Sequence, residues 1–96
     1  MTHYIALLEE EEGKAVGVWF PDLPGCFSAG DTLDEAIQGA AEAIVLYAEA
    51  LERDGRRLPP PRALSVLKDD AGFAAEVQGN LVALISAPER IASAAE

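Results

Sequence analysis

Phe20-Pro21-Asp22-Leu23-Pro24-Gly25-Cys26-Phe27-Ser28-Ala29-Gly30-Asp31-Thr32-Leu33-Asp34-Glu35-Ala36 decides how this chain folds. It ends one strand, reverses, makes a short second strand and launches the only long helix. Pro24-Gly25 fits a type II turn, in which proline presets φ at the second position and glycine takes positive φ at the third. Residues 26–29 can then return as a strand, and Gly30 is read as the point where the backbone changes direction abruptly. Thr32 with Glu35 reads as a capping box, each side chain satisfying a backbone N–H that a helix start leaves free.

Upstream, residues 4–8 form an apolar run of strand length. Glu9-Glu10-Glu11-Glu12-Gly13 closes it as a polar turn whose like charges resist further pairing. Residues 14–20 form the next strand, with apolar groups on both faces, so periodicity alone does not say which side is inside. Glu10 and Glu11 are candidate contacts for a basic partner. Pro21 has no N–H to give a ladder and stops the strand.

Downstream, a helix is expected over residues 33–54, ~33 Å long at ~1.5 Å per residue, with Gly55 as its stop. Leu33, Ile37, Ala40, Ile44, Tyr47 and Leu51 follow three-and-four spacing and make its core-facing stripe. Val45 and Leu46 lie off that stripe and suggest a second apolar contact, with the following segment or with another subunit. Arg53, Arg56 and Arg57 stand where a helix C-terminus favours cations. Pro59-Pro60-Pro61 reads as a stiff connector, with too little chain after it for a second core. Residues 63–68 suggest a short helix with Leu64 and Leu67 inward. Residues 69–80 read as irregular with one helical turn near Phe73, and residues 81–85 as a buried strand. Pro88 would start a last short helix over residues 89–95.

The order is β-β-β-α-β, an α+β fold with a three-stranded antiparallel meander and the long helix on one face. A right-handed crossover would bring the fourth strand in parallel to the first, in order 3-2-1-4. The opposite face then needs a cover or another subunit.

With 96 residues, half of them apolar, the chain has material for one domain with one modest core. A net charge of −10 and a sequence pI near 4.3 disfavour unaided binding to nucleic acid or anionic lipid and would attract a basic protein. The single cysteine, Cys26, excludes an internal disulfide and suits a reducing compartment. The N-terminus lacks the pattern of a signal peptide, and no apolar run approaches the ~18 residues of a spanning helix. A cytoplasmic location is expected, with no membrane partner.

Cys26 as a nucleophile needs a base or a lowered pKa, and neither can be argued for the lone His3, so Cys26 reads as a structural residue. Asp22, Asp31, Asp34 and Glu35 invite comparison with metal-dependent nucleases of the ribonuclease H type. Those need several carboxylates converging on Mg²⁺, and here Ile5, Ala6 and Leu7 leave the middle of the first strand without an acid. Asp22 suits a turn, and the other three suit a helix N-terminus. Phosphate loops and cysteine–histidine metal spacings do not occur. The reading is therefore a non-enzyme, with no catalytic, metal or cofactor residues.

The stretch from Phe20 to Cys26, followed by Ser28 to Ala36, closely resembles the signature of HicB-family antitoxins. The preceding hairpin, the alanine-rich helix and the proline segment extend the resemblance over roughly residues 3 to 86. It implies a partial ribonuclease H-like fold and a role in binding and neutralising a small basic HicA-type ribonuclease by occlusion. It also implies self-association, as a homodimer or a higher homo-oligomer. On this reading Glu10, Glu11, Asp22 and Asp31 are partner-binding residues, and Val45 with Leu46 are oligomer contacts. Many members append a ribbon-helix-helix or helix-turn-helix segment; residues 87–96 are too few for either, so DNA binding by this chain alone is not expected. The alternatives are an orphan oligomeric scaffold domain and, more remotely, a residual metal-dependent nuclease.

Overall fold

The first run of apolar residues folds as β1 (His3–Glu9), buried on both faces from Tyr4 to Leu8 because it lies at the centre of the sheet. β2 (Val16–Trp19) and β3 (Phe27–Gly30) follow as an antiparallel meander, with Leu7 opposite Trp19 and Trp19 opposite Phe27. A computed structural model describes residues 2–87. The expected helix over 89–95 lies outside them.

α1 (Leu33–Arg53) covers one face, packing Ala36, Ala40, Ile44 and Leu51 onto Tyr4, Ala6, Leu8, Val16, Val18 and Phe20. Thr32 caps it, its Oγ1 accepting from the Glu35 N–H at 3.1 Å. The reciprocal bond of the box lands one residue early: Glu35 Oε2 accepts the Asp31 N–H at 3.0 Å. At the other end Gly55 sits at φ 72°. The Arg56 N–H reaches Leu51 O and the Gly55 N–H reaches Glu52 O, closing a Schellman motif.

The motif turn forms as the sequence demands, with Gly25 at φ 85° and the Cys26 N–H bonded to Leu23 O at 3.0 Å. Gly30 differs from its expected role, since its φ is not positive. A Cβ there would stand 2.5 Å from the Ala36 backbone nitrogen, so glycine is needed for the close approach of the first turn of α1, not for a bend.

After α1 the Pro59–Pro61 connector rounds the sheet. α2 (Leu64–Leu67) and α3 (Ala71–Val77) then cross the second face, where Leu67 and Phe73 pack on Ile5 and Leu7 in a separate small core. The irregular segment expected over 69–80 is thus mostly a helix, capped by Asp70, whose Oδ1 accepts from the Phe73 N–H at 3.1 Å. Leu64 does not face inward with Leu67; it is half exposed, because α2 is one turn at the margin of the sheet.

β4 (Leu81–Ser86) completes the order β3-β2-β1-β4. It runs antiparallel to β1, with Tyr4 opposite Ile85 and Leu8 opposite Leu81, which corrects the parallel pairing expected. The crossover rule describes one pass over one face. Here α1 makes one pass and α2–α3 a second on the opposite face, so the chain re-enters at the end where β1 finishes.

Candidate partner interface

The polar side chains of the 20–36 stretch turn out to hold the fold. The Asp22 side chain is almost fully buried, with Oδ2 accepting the Arg62 N–H at 2.7 Å and Oδ1 accepting Arg62 Nε at 2.6 Å. The Tyr4 hydroxyl donates to Pro59 O at 2.6 Å, and the Tyr47 hydroxyl donates to Pro24 O at 2.8 Å. Burial, with the Asp22 carboxylate nearby, pushes the Tyr4 phenol up. These bonds tie the motif turn to α1 and to the connector that carries the chain to the second face. Cys26 is buried, and burial pushes its thiol up to about 11. A thiol so protonated is a poor nucleophile at neutral pH.

The other acids behave differently. The pairing of Glu9 with Gly17 and of Val16 with Gly30 puts the β1–β2 hairpin and the start of α1 at one end of the sheet. Glu9, Glu10, Glu11, Glu12, Asp31, Asp34 and Glu35 are all exposed there. Among the described residues, Lys14 opposes them, 3.3 Å from Glu11 in an exposed pair that contributes little. Asp34 and Glu35 also suit the partial positive charge of the α1 N-terminus. Arg53, Arg56 and Arg62 belong to the opposite end, where α1 finishes and the connector begins. Glu52, Asp54 and Asp22 stand at that end as well, so it is mixed in charge while the hairpin end is acidic.

Among the described residues, no group of three or more His, Cys, Asp or Glu is placed to hold a metal ion. Nor is any helix among them long and apolar enough to cross a membrane. Val45 is part-buried against the core beneath α1, while Leu46 is 65% exposed.

Two surfaces escaped the sequence reading. Phe27 is 74% exposed beside Trp19, whose Nε1 donates to Glu76 Oε2 at 3.0 Å. The alternation Cys26-in, Phe27-out was a signal for it. On the other flank, Leu64, Val82 and Leu84 line an open groove of about 480 Å³ with His3, Pro61 and Arg62.

A family model described as the HicB-like antitoxin of bacterial toxin–antitoxin systems matches residues 4–92. An uncharacterised 14.9 kDa protein of Haemophilus phage HP1 is 46% identical over 59 residues, 62% of this chain and 43% of the phage protein. The crystal structure of the Burkholderia pseudomallei antitoxin HicB superposes with a TM-score of 0.72 at 31% identity, covering 90% of this chain and 63% of that one. A chain of the HicA3–HicB3 toxin–antitoxin complex superposes with a TM-score of 0.71 at 29% identity, covering 90% of this chain and 98% of that one. The chain thus spans less than two thirds of the phage protein and of the Burkholderia antitoxin that it matches.

Proposed function

The chain belongs to the HicB-like antitoxin family, and on that premise we propose that it binds and neutralises a small basic HicA-type mRNA ribonuclease by occlusion. The observation that carries this reading is the end of the sheet where, among the described residues, seven exposed carboxylates face one lysine. Such a surface accelerates encounter with a basic protein and rejects acidic ones. The relation to a chain of the HicA3–HicB3 complex supports a toxin as that basic protein.

Glu10, Glu11 and Asp31 are the proposed contacts. Asp22, at the other end and held by Arg62, meets the partner only if that pair opens. The chain acts as a binding protein and not as an enzyme, in the cytoplasm where its ribonuclease target works. Self-association belongs to the same reading, and Leu46 is an exposed apolar residue available for it.

The test is a ribonuclease assay with a purified HicA-type toxin and increasing amounts of this chain. Stoichiometric inhibition is expected, weakening several-fold as salt rises through the range where the Debye length shrinks from ~10 to ~3 Å. The triple substitution Glu10→Lys, Glu11→Lys and Asp31→Lys should slow association more than dissociation. Full cleavage in the presence of excess folded chain would refute the reading.

A further inference from the structure

α2 and α3 cover the middle of the second face and leave its β3 flank bare. By register, Leu7, Trp19 and Phe27 form one row across that face, and Glu9, Gly17 and Ala29 form the next. α3 covers the first row only as far as Trp19, where Phe73 and Val77 pack and Glu76 takes the indole N–H. Beyond it Phe27 is 74% exposed, and in the second row Glu9 and Ala29 are exposed around a glycine with no side chain. Gly17 stands inside β2, its φ is not positive, and a Cβ there would meet nothing within 4 Å among the described residues. Neither backbone conformation nor packing within those residues asks for glycine, and glycine weakens the interior of a strand. A bare glycine in a strand is the mark of a place where something from outside comes close to the backbone.

We propose that this notch anchors the basic partner: an arginine or lysine side chain of the partner lies over Gly17, its stem against Phe27 and its charge toward Glu9 and Glu76. The inference rests on the inhibitory reading above and adds an apolar anchor to its acidic field. With strands ~4.8 Å apart and a rise of ~3.3 Å per residue, Glu9, Trp19 and Phe27 all stand within ~10 Å of Gly17. The charge of the flank selects the occupant. Glu9 lies on this face, Glu76 is held against Trp19 at 3.0 Å, and Asp31 follows β3. A phosphate backbone or an acidic protein is repelled there, and a cation is drawn in. A guanidinium or ammonium group also gains from an aromatic ring, so Phe27 and the carboxylates favour the same side chain. The two parts of the surface then act on different rates. The carboxylates at the end of the sheet speed encounter, and burial of Phe27 under the partner slows release.

The experiment is surface plasmon resonance of the full chain against a purified HicA-type toxin, with ribonuclease inhibition and thermal melting of each variant alongside. Phe27→Ala should weaken binding ~30-fold, mostly through faster release, and leave the salt dependence of association as in the parent. Gly17→Val fills the notch with a side chain that strands favour, so it should melt no lower than the parent yet bind at least ~10-fold more weakly. A parent chain that inhibits the toxin while both variants bind as it does would overturn the anchor and leave the inhibitory reading standing. A parent that neither binds nor inhibits would overturn both. A Gly17→Val chain that melts well below the parent would also overturn the anchor, since the fold itself would then need the glycine. So would a Phe27→Ala chain that keeps toxin binding but loses self-association in sedimentation, or loses binding to a labelled single-stranded RNA: the flank would then meet a second copy or RNA.

Discussion

Asp22 is the residue whose removal separates a fold-holding from a partner-binding role for the motif. Its carboxylate accepts two bonds from Arg62, one from the backbone at 2.7 Å and one from the guanidinium at 2.6 Å, and only 7% of the side chain is exposed. A hydrogen bond to an ionised acceptor contributes ~1.5–3 kcal/mol, and the half-open guanidinium end belongs at or below the bottom of that range. Asp22→Ala removes both bonds and leaves a small void beside Tyr4, for a loss of about 2–3 kcal/mol. In a domain of this size about 1 kcal/mol corresponds to ~4–8 °C, so Tm should fall by roughly 10–15 °C. Asp22→Asn keeps an acceptor for the Arg62 N–H and loses the charge, and should fall about half as far. Arg62→Ala keeps its own backbone N–H bond and should be the mildest of the three.

Differential scanning calorimetry with urea titration measures these shifts, and the double variant Asp22→Ala/Arg62→Ala tests the coupling. If the side chains act through each other, the double variant is no less stable than Asp22→Ala alone. An Asp22→Ala protein melting within about 3 °C of the parent would refute the structural role, given the ~4–8 °C expected per kcal/mol. Should such a protein also lose toxin inhibition, Asp22 would return to the partner surface.

Other perturbations test other joints. Gly30→Ala drives a Cβ against the backbone of the first turn of α1, and overpacking of this kind should cost about 2–3 kcal/mol in urea unfolding. Thr32→Ala should cost ~1 kcal/mol, because the Glu35 N–H loses its cap; Thr32→Ser should recover most of it. Cys26, its thiol raised to about 11, should react with iodoacetamide at pH 8 far more slowly than in urea-unfolded chain. The same shift makes stability fall as pH rises. The unfolded thiol ionises from ~8.5 while the folded one holds its proton to about 11, a slope of up to ~1.4 kcal/mol per pH unit between them. The raised Tyr4 phenol acts in the same direction at higher pH, and Cys26→Ser should flatten the lower part of the profile.

What the sequence made legible was local. The Pro24-Gly25 turn, the Thr32 cap and the Gly55 stop rest on interactions a few residues apart and formed as read. The return bond of the capping box shifted to Asp31, and the α1 stripe buries Ala36 more deeply than Leu33, Ile37 and Tyr47. The second face was not legible, because its determinants are distant. Asp22 and Arg62 stand 40 residues apart, and Trp19 and Glu76 57 apart, and no periodicity links them. Asp70 was a readable cap for α3, but seven residues with one large apolar anchor give little periodicity to support it. Missing α3 hid the second pass across the sheet, and with it the direction of β4.

The candidate site divides the same way. The acidic loop was visible as a run of four glutamates, yet a lone run is ordinarily just a solvated loop. What changes its meaning is register: Val16 opposite Gly30 brings the α1 N-terminus to the same end as the hairpin, so two separate acidic segments become one field. At physiological salt the Debye length is ~8 Å, so charges on neighbouring loops reinforce each other while the arginines at the far end, most of a strand away, are largely screened. A chain of the same composition with its acids spread evenly would attract a basic partner as strongly at long range and orient it far less. The fold thus converts net charge into direction. Direction is what the inhibitory role proposed above requires, since occlusion means covering one site on the target.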